Sequence, residues 1–438
     1  MRTVVSFEYQ GQQTFLKIDA ATVEIANMGD QLPVPLPAPA GTLVAYGQTL
    51  RQLLLGHPQV QEGLNAVLAA PTGTPPGPLY FRMVSPSADA MPWEQIYNDR
   101  TGSFCALDQR WPIGRIAKIR QKVAARAFVP PLRVTAVLSA LGAEGKNQLD
   151  ALVAALSSPK ASAIATHLHV ISGEREVLDG AAAHHGRLSG GTLEITFAPM
   201  PGTTPELAHS ITSARPHLLH LLCHGEAAQA GERILGFATV GDFLAPKDEE
   251  PHPVRLALSH LVQALAPCGT WLVVLNACAT ANAVESRSLA HELVSKGIPA
   301  VAGMRRAVDI VSADRFCKAL YPEVIAAVVT AAAPTGEPRE IDWAAAFTSP
   351  RLVLAADDPE TIDTWTDPVL YAQDEPLLVY RGSPRLSPAA YAELRGYLDF
   401  WREYEAGLDP DTTDPARLAQ VRQRIAETEA QLPEEEPK

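Results

Sequence analysis

Several features are scarce in this chain of 438 residues. No stretch approaches the roughly 18–20 consecutive apolar residues that cross a bilayer as a helix. The opening MRTVVSFEYQGQQTF has no apolar segment leading to a small-residue cleavage site, so a secretory signal is not expected. Together these predict a cytoplasmic protein. Positive charge is in deficit, with a formal net charge of −13. That argues against nucleic acid or an anionic membrane as the main partner. Cysteine is sparse: Cys105, Cys223, Cys268, Cys278 and Cys317 are odd in number and irregularly spaced, and no C-x-x-C occurs. A disulfide framework is excluded on that pattern, and single thiols are left free for chemistry. No internal period marks a solenoid.

Apolar content is ordinary for a globular protein, and the length calls for more than one lobe. Val5, Phe7, Tyr9, Leu16, Ile18, Val23 and Ile25 alternate loosely, which predicts two or three strands with a turn at Gln10-Gly11-Gln12. A Pro-rich loop over 32–39 follows. Residues 46–69 read as a helix broken near Gly56-His57-Pro58, and Leu79–Val84 as a strand. From 132 onward strands alternate with helices: strands at Arg133–Leu138, His167–Ile171 and Thr192–Phe197, and helices at 145–157 and from Thr204, the last with Thr204 as N-cap before Pro205. Val254–Leu265 reads as one amphipathic helix, Ser286–Lys296 as a helix ended by Gly297, and Asp309–Val329 as a long helix containing Pro322. This alternation favours a mostly parallel sheet with helices on both faces. Ser387-Pro388 and Asp414-Pro415 open two helices of a C-terminal hairpin, and the acidic end 433–438 should be disordered. The division expected is an N-terminal strand and helix region over 1–130, a catalytic domain over 131–384, and the hairpin over 385–438.

Two stretches carry the chemistry. Trp271–Leu275 is wholly apolar and runs into Asn276-Ala277-Cys278, which places a thiol at the carboxyl end of a buried strand. Leu218–Cys223 is apolar apart from His220 and ends at His224-Gly225. Taken singly, Cys278 fits a buried small hydrophobe and His224 a structural histidine. Taken together at two strand ends, they form a candidate nucleophile and general base, because a free thiol needs an imidazole to ionise near neutral pH. The backbone N–H groups of Gly225 and Cys278 are candidate oxyanion donors. His220 and His224 also spell H-x-x-x-H, but Leu221 stands where a zinc peptidase helix has Glu, and four residues apart along a strand the two rings are far from a shared ligand geometry. No metal or other cofactor is expected. Strand alternation puts Cys223 on the face opposite His224, in the core. Asp309 and Asp314 read as solvated helix positions.

The blocks His220–Gly225, Val274–Ala281, Ser288–Leu293 and Gly297–Gly303, with Pro92-Trp93-Glu94 upstream and Asp367–Tyr371 downstream, resemble the CHAT domain family of bacterial caspase-like cysteine peptidases, related to caspases and separase. The resemblance covers roughly 45–372. It implies a caspase-like three-layer α/β sandwich and a metal-free Cys–His endopeptidase, with His224 as base and Cys278 as nucleophile. It further implies a protein substrate, such as a partner cleaved in a bacterial defence or regulated cell-death system. Some relatives specific for basic residues carry an acidic residue two before the Cys. This chain has Asn276, a candidate substrate contact that would not attract Arg or Lys as Asp would. The C-terminal helices are a candidate docking element for an activating protein partner. The alternatives are a non-catalytic adaptor of the same fold, and a thiol hydrolase acting on small acyl compounds.

Overall fold

The computed structural model describes residues 2–10, 13–19, 41–56, 58–83, 86–117, 119, 125–185, 192–227, 233–246, 248–278, 289–306, 308–334, 337–356, 358–381, 388–409 and 415–429. The expected strand at Val23 and Ile25, the Pro-rich 32–39 segment, residues 228–232 and 279–288, and the acidic end lie outside them. The chain forms two compact units: one of 1–123, 130–329 and 342–377, the other of 124–129, 330–341 and 378–438.

A 13-stranded sheet organises the first unit. Its strands, in chain order, are β1 (Thr3–Gln10), β2 (Gln13–Asp19), β3 (Leu79–Met83), β4 (Ile113–Ala117), β5 (Leu132–Leu138), β6 (Thr166–Ser172), β7 (Leu193–Pro199), β8 (Leu218–Ala227), β9 (Arg233–Phe237), β10 (Val254–Ala257), β11 (Leu272–Cys278), β12 (Ala300–Met304) and β13 (Pro368–Ala372). The spatial order is β7-β6-β5-β8-β11-β12-β13-β4-β3-β1-β2, with β9 and β10 attached beside β8. The run from β7 to β12 is parallel throughout. Antiparallel pairings join β12 to β13, β1 to β2, and the β8–β9–β10 meander. The sheet is therefore mostly parallel, as the alternation of elements predicts. The N-terminal strands continue it.

Both faces are covered. Leu219, Leu221, Cys223, Val273, Leu275 and Val301 point to one face and pack with Leu207, Ile211, Leu261, Leu265, Leu289 and Leu293 from helices Thr204–Ala214, Leu258–Leu265 and Leu289–Ser295. Helices Lys146–Leu156 and Ile310–Ala331 take the other face, where their side chains meet those of β8 and β11. This is a three-layer α/β arrangement. Gly297 follows the Leu289–Ser295 helix with φ of 109°, a conformation that an L side chain rarely adopts.

Local differences have local causes. Val254–Ala257 is strand, and its helix starts at Leu258, because this tetrapeptide pairs with β9 instead of continuing the helical stripe. The N-cap of helix Thr204–Ala214 is Thr203, whose hydroxyl accepts from the Glu206 N–H at 3.4 Å, so the cap sits one residue earlier than expected. β4 carries no strand signal strong enough to read, because its centre is a charged residue. Arg115 is nevertheless wholly buried. It makes a two-pronged contact with Glu94 (3.1 and 2.7 Å) and donates to the Met91 carbonyl at 2.9 Å. Burial alone would raise the Glu94 carboxyl, but the Arg115 guanidinium outweighs it and holds the pKa below the usual range. Arg351, also fully buried, lies 3.9 Å from Glu94 and donates to the carbonyls of Ile113 and Pro368. The Pro92-Trp93-Glu94 block thus supplies the anion for two buried cations.

In the second unit, strands Arg126–Phe128, Arg339–Glu340 and Leu378–Arg381 form a small sheet. Helices Pro388–Ala406 and Pro415–Glu429 form the expected hairpin, with Leu398 and Val421 buried and ion pairs Arg402–Glu429 (2.5 Å) and Arg422–Glu405 (2.7 Å).

Asp89, also buried, lies 3.4 Å from Arg115, so removing Glu94 leaves two buried guanidinium groups with one carboxylate between them. Glu94→Ala is expected to lower unfolding stability by about 3–5 kcal/mol, measured by urea denaturation. A loss under about 1 kcal/mol would contradict this account of the pair.

Candidate active site

The strand order reverses between β5 and β8. After β5 the chain builds outward through β6 and β7, then returns to lay β8 on the other side of β5 and continues to β11 and β12. Open α/β sheets bind ligands outside the carboxyl ends of the strands flanking such a reversal. His224 lies there. The pairing of β8 with β5 stops at Leu222–Leu138, and from His224 onward β8 is flanked by β9, with Gly236 opposite His224 and Leu235 opposite Gly225. The strand therefore does not end at His224-Gly225, as its sequence suggests. It runs on to Ala227 because β9 folds back along it.

On its other side β8 pairs in parallel with β11, from Leu218–Leu272 to His224–Cys278. The two residues singled out from the sequence, 54 positions apart, are register partners. Their backbones lie one inter-strand spacing apart, about 4.8 Å. The backbone of Cys278 is described; its side chain lies outside the described residues. β11 also outruns β12, whose ladder stops at Val274–Ala302.

The His224 ring is half-buried, and its Nε2 lies 2.7 Å from the carbonyl of Leu141, in the loop after β5. A carbonyl only accepts, so Nε2 carries the proton. In the neutral ring Nδ1 is then the free acceptor. The Leu141 carbonyl fixes both tautomer and ring orientation.

His220, on the same face of β8, has a different fate. Its Nε2 is 2.7 Å from Gln148 Oε1 and its Nδ1 is 2.5 Å from the Tyr321 hydroxyl, so both nitrogens are used. Burial lowers its pKa to about 3. Neutral His220 donates to Gln148 and accepts from Tyr321, which leaves no lone pair for a metal. Gln148 Nε2 in turn donates to Asp314 at 3.1 Å, and Asn147 reaches the other oxygen of Asp314 at 2.9 Å. Asp314, half-exposed, is therefore also a tie between two helices. Asp309 is exposed and caps the second of those helices by accepting from the Ser312 N–H at 3.0 Å.

Asn276 is buried, 3% exposed, and its amide is spent on the Ile310–Ala331 helix: Nδ2 donates to Cys317 Sγ at 3.3 Å and to the Ala313 carbonyl at 3.4 Å. Cys317 in turn reaches Gln148 Oε1 at 3.8 Å, and burial pushes its thiol pKa well up. Cys105, Cys223, Cys268 and Cys317 are buried and in no disulfide, and Cys223 is in the core on the face opposite His224. Sequence reading missed Leu141, Gln148, Cys317 and Tyr321. Only the isolated polar His220 within an apolar strand signals that buried partners must exist.

Comparison with known proteins fits this architecture. The CHAT domain model matches residues 44–337, and the chain belongs to that family. A comparison with curated protein sequences gave no match. Among solved structures, a chain of the Saccharomyces cerevisiae separase–securin complex is 11% identical, covering 75% of this chain and 17% of that one, with a TM-score of 0.33. The Arg-specific cysteine proteinase gingipain R is 11% identical, covering 69% of this chain and 64% of that one, at 0.34. The complex of Porphyromonas gingivalis RgpB pro- and mature domains is 13% identical, covering 70% and 68%, at 0.33. The fold of this chain is defined by its own strand order and by the CHAT domain match. Among the described residues no helix is long and apolar enough to cross a membrane.

His220 makes stability depend on pH. Its folded pKa of about 3 lies below the ordinary value of 6.5, so between these limits the unfolded chain binds more protons. Stability then falls as pH drops below about 6.5, by up to about 1.4 kcal/mol per pH unit. Urea denaturation at pH 7 and pH 5 is expected to show roughly 2 kcal/mol of this loss in wild type but not in His220→Gln. Equal losses in both would refute the assignment.

Proposed function

We propose that the chain is a caspase-like cysteine endopeptidase that cleaves a partner protein in the cytoplasm, in a bacterial defence or regulated cell-death setting. The observation that carries the reading is the β8–β11 register, which pairs His224 with Cys278 at the carboxyl edge beside the reversal of strand order. Family membership supports the same class. His224, with Nε2 held by the Leu141 carbonyl, presents Nδ1 as the base. It takes the Cys278 thiol proton, and the thiolate attacks the substrate carbonyl. The N–H groups of Gly225 and Cys278 stabilise the oxyanion. The resulting imidazolium protonates the leaving amine, and water, activated by the same nitrogen, hydrolyses the acyl-enzyme. Asn276, whose amide is engaged with the helix behind it, serves to hold the end of β11 rather than to touch substrate.

Incubation with candidate partner proteins, read by mass spectrometry of the fragments, tests this. Wild type is expected to yield defined new termini. Cys278→Ala should yield none, and His224→Gln should be slowed by at least about 10²-fold. Identical fragments from wild type and Cys278→Ala would sink the peptidase reading and leave a binding role for the fold.

A further inference from the structure

Beside the reversal of strand order lies a cavity of about 430 Å³, lined by Gly142, Glu144, Glu174, Arg175, Phe243 and Leu244 among others. Its walls are the loops after β5 and β6 and the short helix Val240–Leu244 that follows β9. It begins one residue from Leu141, whose carbonyl holds His224. The walls are tied together at Gly173, where a Cβ would stand 2.4 Å from the Ala238 carbonyl.

The cavity is apolar on one side and anionic on the other. Leu244 is 66% exposed and Phe243 half-buried, both from the same helical turn. Glu174 is 8% exposed, and its Oε2 accepts from the Gly145 N–H at 2.7 Å. Among the described residues no cation pairs with it. Arg175, the nearest in sequence, turns outward toward Asp179 at 3.4 Å, with both side chains largely in solvent. Burial raises the Glu174 carboxyl, the Gly145 N–H opposes this, and the carboxylates of Glu176 and Glu144 add to the rise. A carboxylate more than nine-tenths buried, lining a cavity and held by the Gly145 N–H at the start of helix Lys146–Leu156, has no side-chain counter-ion among the described residues.

We infer that this cavity is a specificity pocket that receives a Lys or Arg side chain of the substrate polypeptide beside the scissile bond. The apolar wall takes the aliphatic stem, and Glu174 pairs with the cationic head. The inference rests on the peptidase reading above and deepens it. It places the acidic determinant after β6, away from Asn276 on β11, whose amide is buried against a helix.

Alkylation of Cys278 tests the pocket separately from the dyad. Three probes are compared on the full-length protein: iodoacetamide, acetyl-Ala-Ala-Arg chloromethyl ketone, and the same ketone with citrulline, which keeps the shape of Arg without its charge. The Arg ketone is expected to label Cys278 at least about tenfold faster than the citrulline ketone. In Glu174→Gln, which retains an acceptor for the Gly145 N–H, the Arg-to-citrulline ratio should fall to near one. An equal ratio in wild type, or a ratio unmoved in Glu174→Gln, overturns the pocket and leaves the dyad standing. Labelling by iodoacetamide that is indifferent to His224→Gln, with neither ketone reacting, instead overturns the peptidase reading and the pocket's role with it.

Discussion

The parallel pairing of β8 with β11 is the constraint on which the rest depends. Seven consecutive register partners, from Leu218–Leu272 to His224–Cys278, bring two distant segments side by side. The pairing is sustained by alternation. Leu219, Leu221, Cys223, Val273 and Leu275 enter one hydrophobic core, so a slip of one residue in β8 would turn His220 and His224 into that core and strip His220 of its partners on the other face. The apolar residues therefore specify the position of the chemistry, although none of them takes part in it.

The opposite face sets polar groups, satisfied within it, among the buried apolar Leu218, Leu222, Leu272 and Val274. His220, Gln148, Tyr321, Cys317, Asn276 and Asp314 form a connected set that attaches β8 and β11 to helices Lys146–Leu156 and Ile310–Ala331. Such a set is directional where a hydrophobic contact is not, and it is costly to break because each lost partner strands another buried group. It lies one turn of the pleat behind the candidate dyad and holds both strand ends in place. The buried Glu94–Arg115–Arg351 cluster does the same at the other end of the sheet, tying the segment before β4 to that strand.

Much of this was legible in the sequence, and what was not has identifiable causes. The apolar strands β5, β6, β8 and β11 could be read because parallel strands covered on both faces leave unbroken hydrophobic runs. β4 could not, because Ile-Gly-Arg-Ile-Ala hides a buried charge whose partner lies 21 residues away. The split of 254–265 into strand and helix depends on β9, a partner that no local pattern reveals. His224 and Cys278 were found because each ends an apolar run at a polar residue. Leu141 and Glu174 were not, since a backbone carbonyl leaves no mark on residue type and a loop glutamate looks like any solvated one. Asn276 entered as a candidate substrate contact through the resemblance to relatives with an acidic residue at that position, and its bonds to helix Ile310–Ala331 could not be read from sequence.

The central claim is that His224 acts on Cys278. The most direct measurement is the pH dependence of Cys278 alkylation, located by peptide mapping, in wild type and His224→Gln. The account predicts that wild type ionises well below the ordinary thiol value of about 8.5, and that the variant returns to it. Superimposable profiles centred near that value would contradict the account.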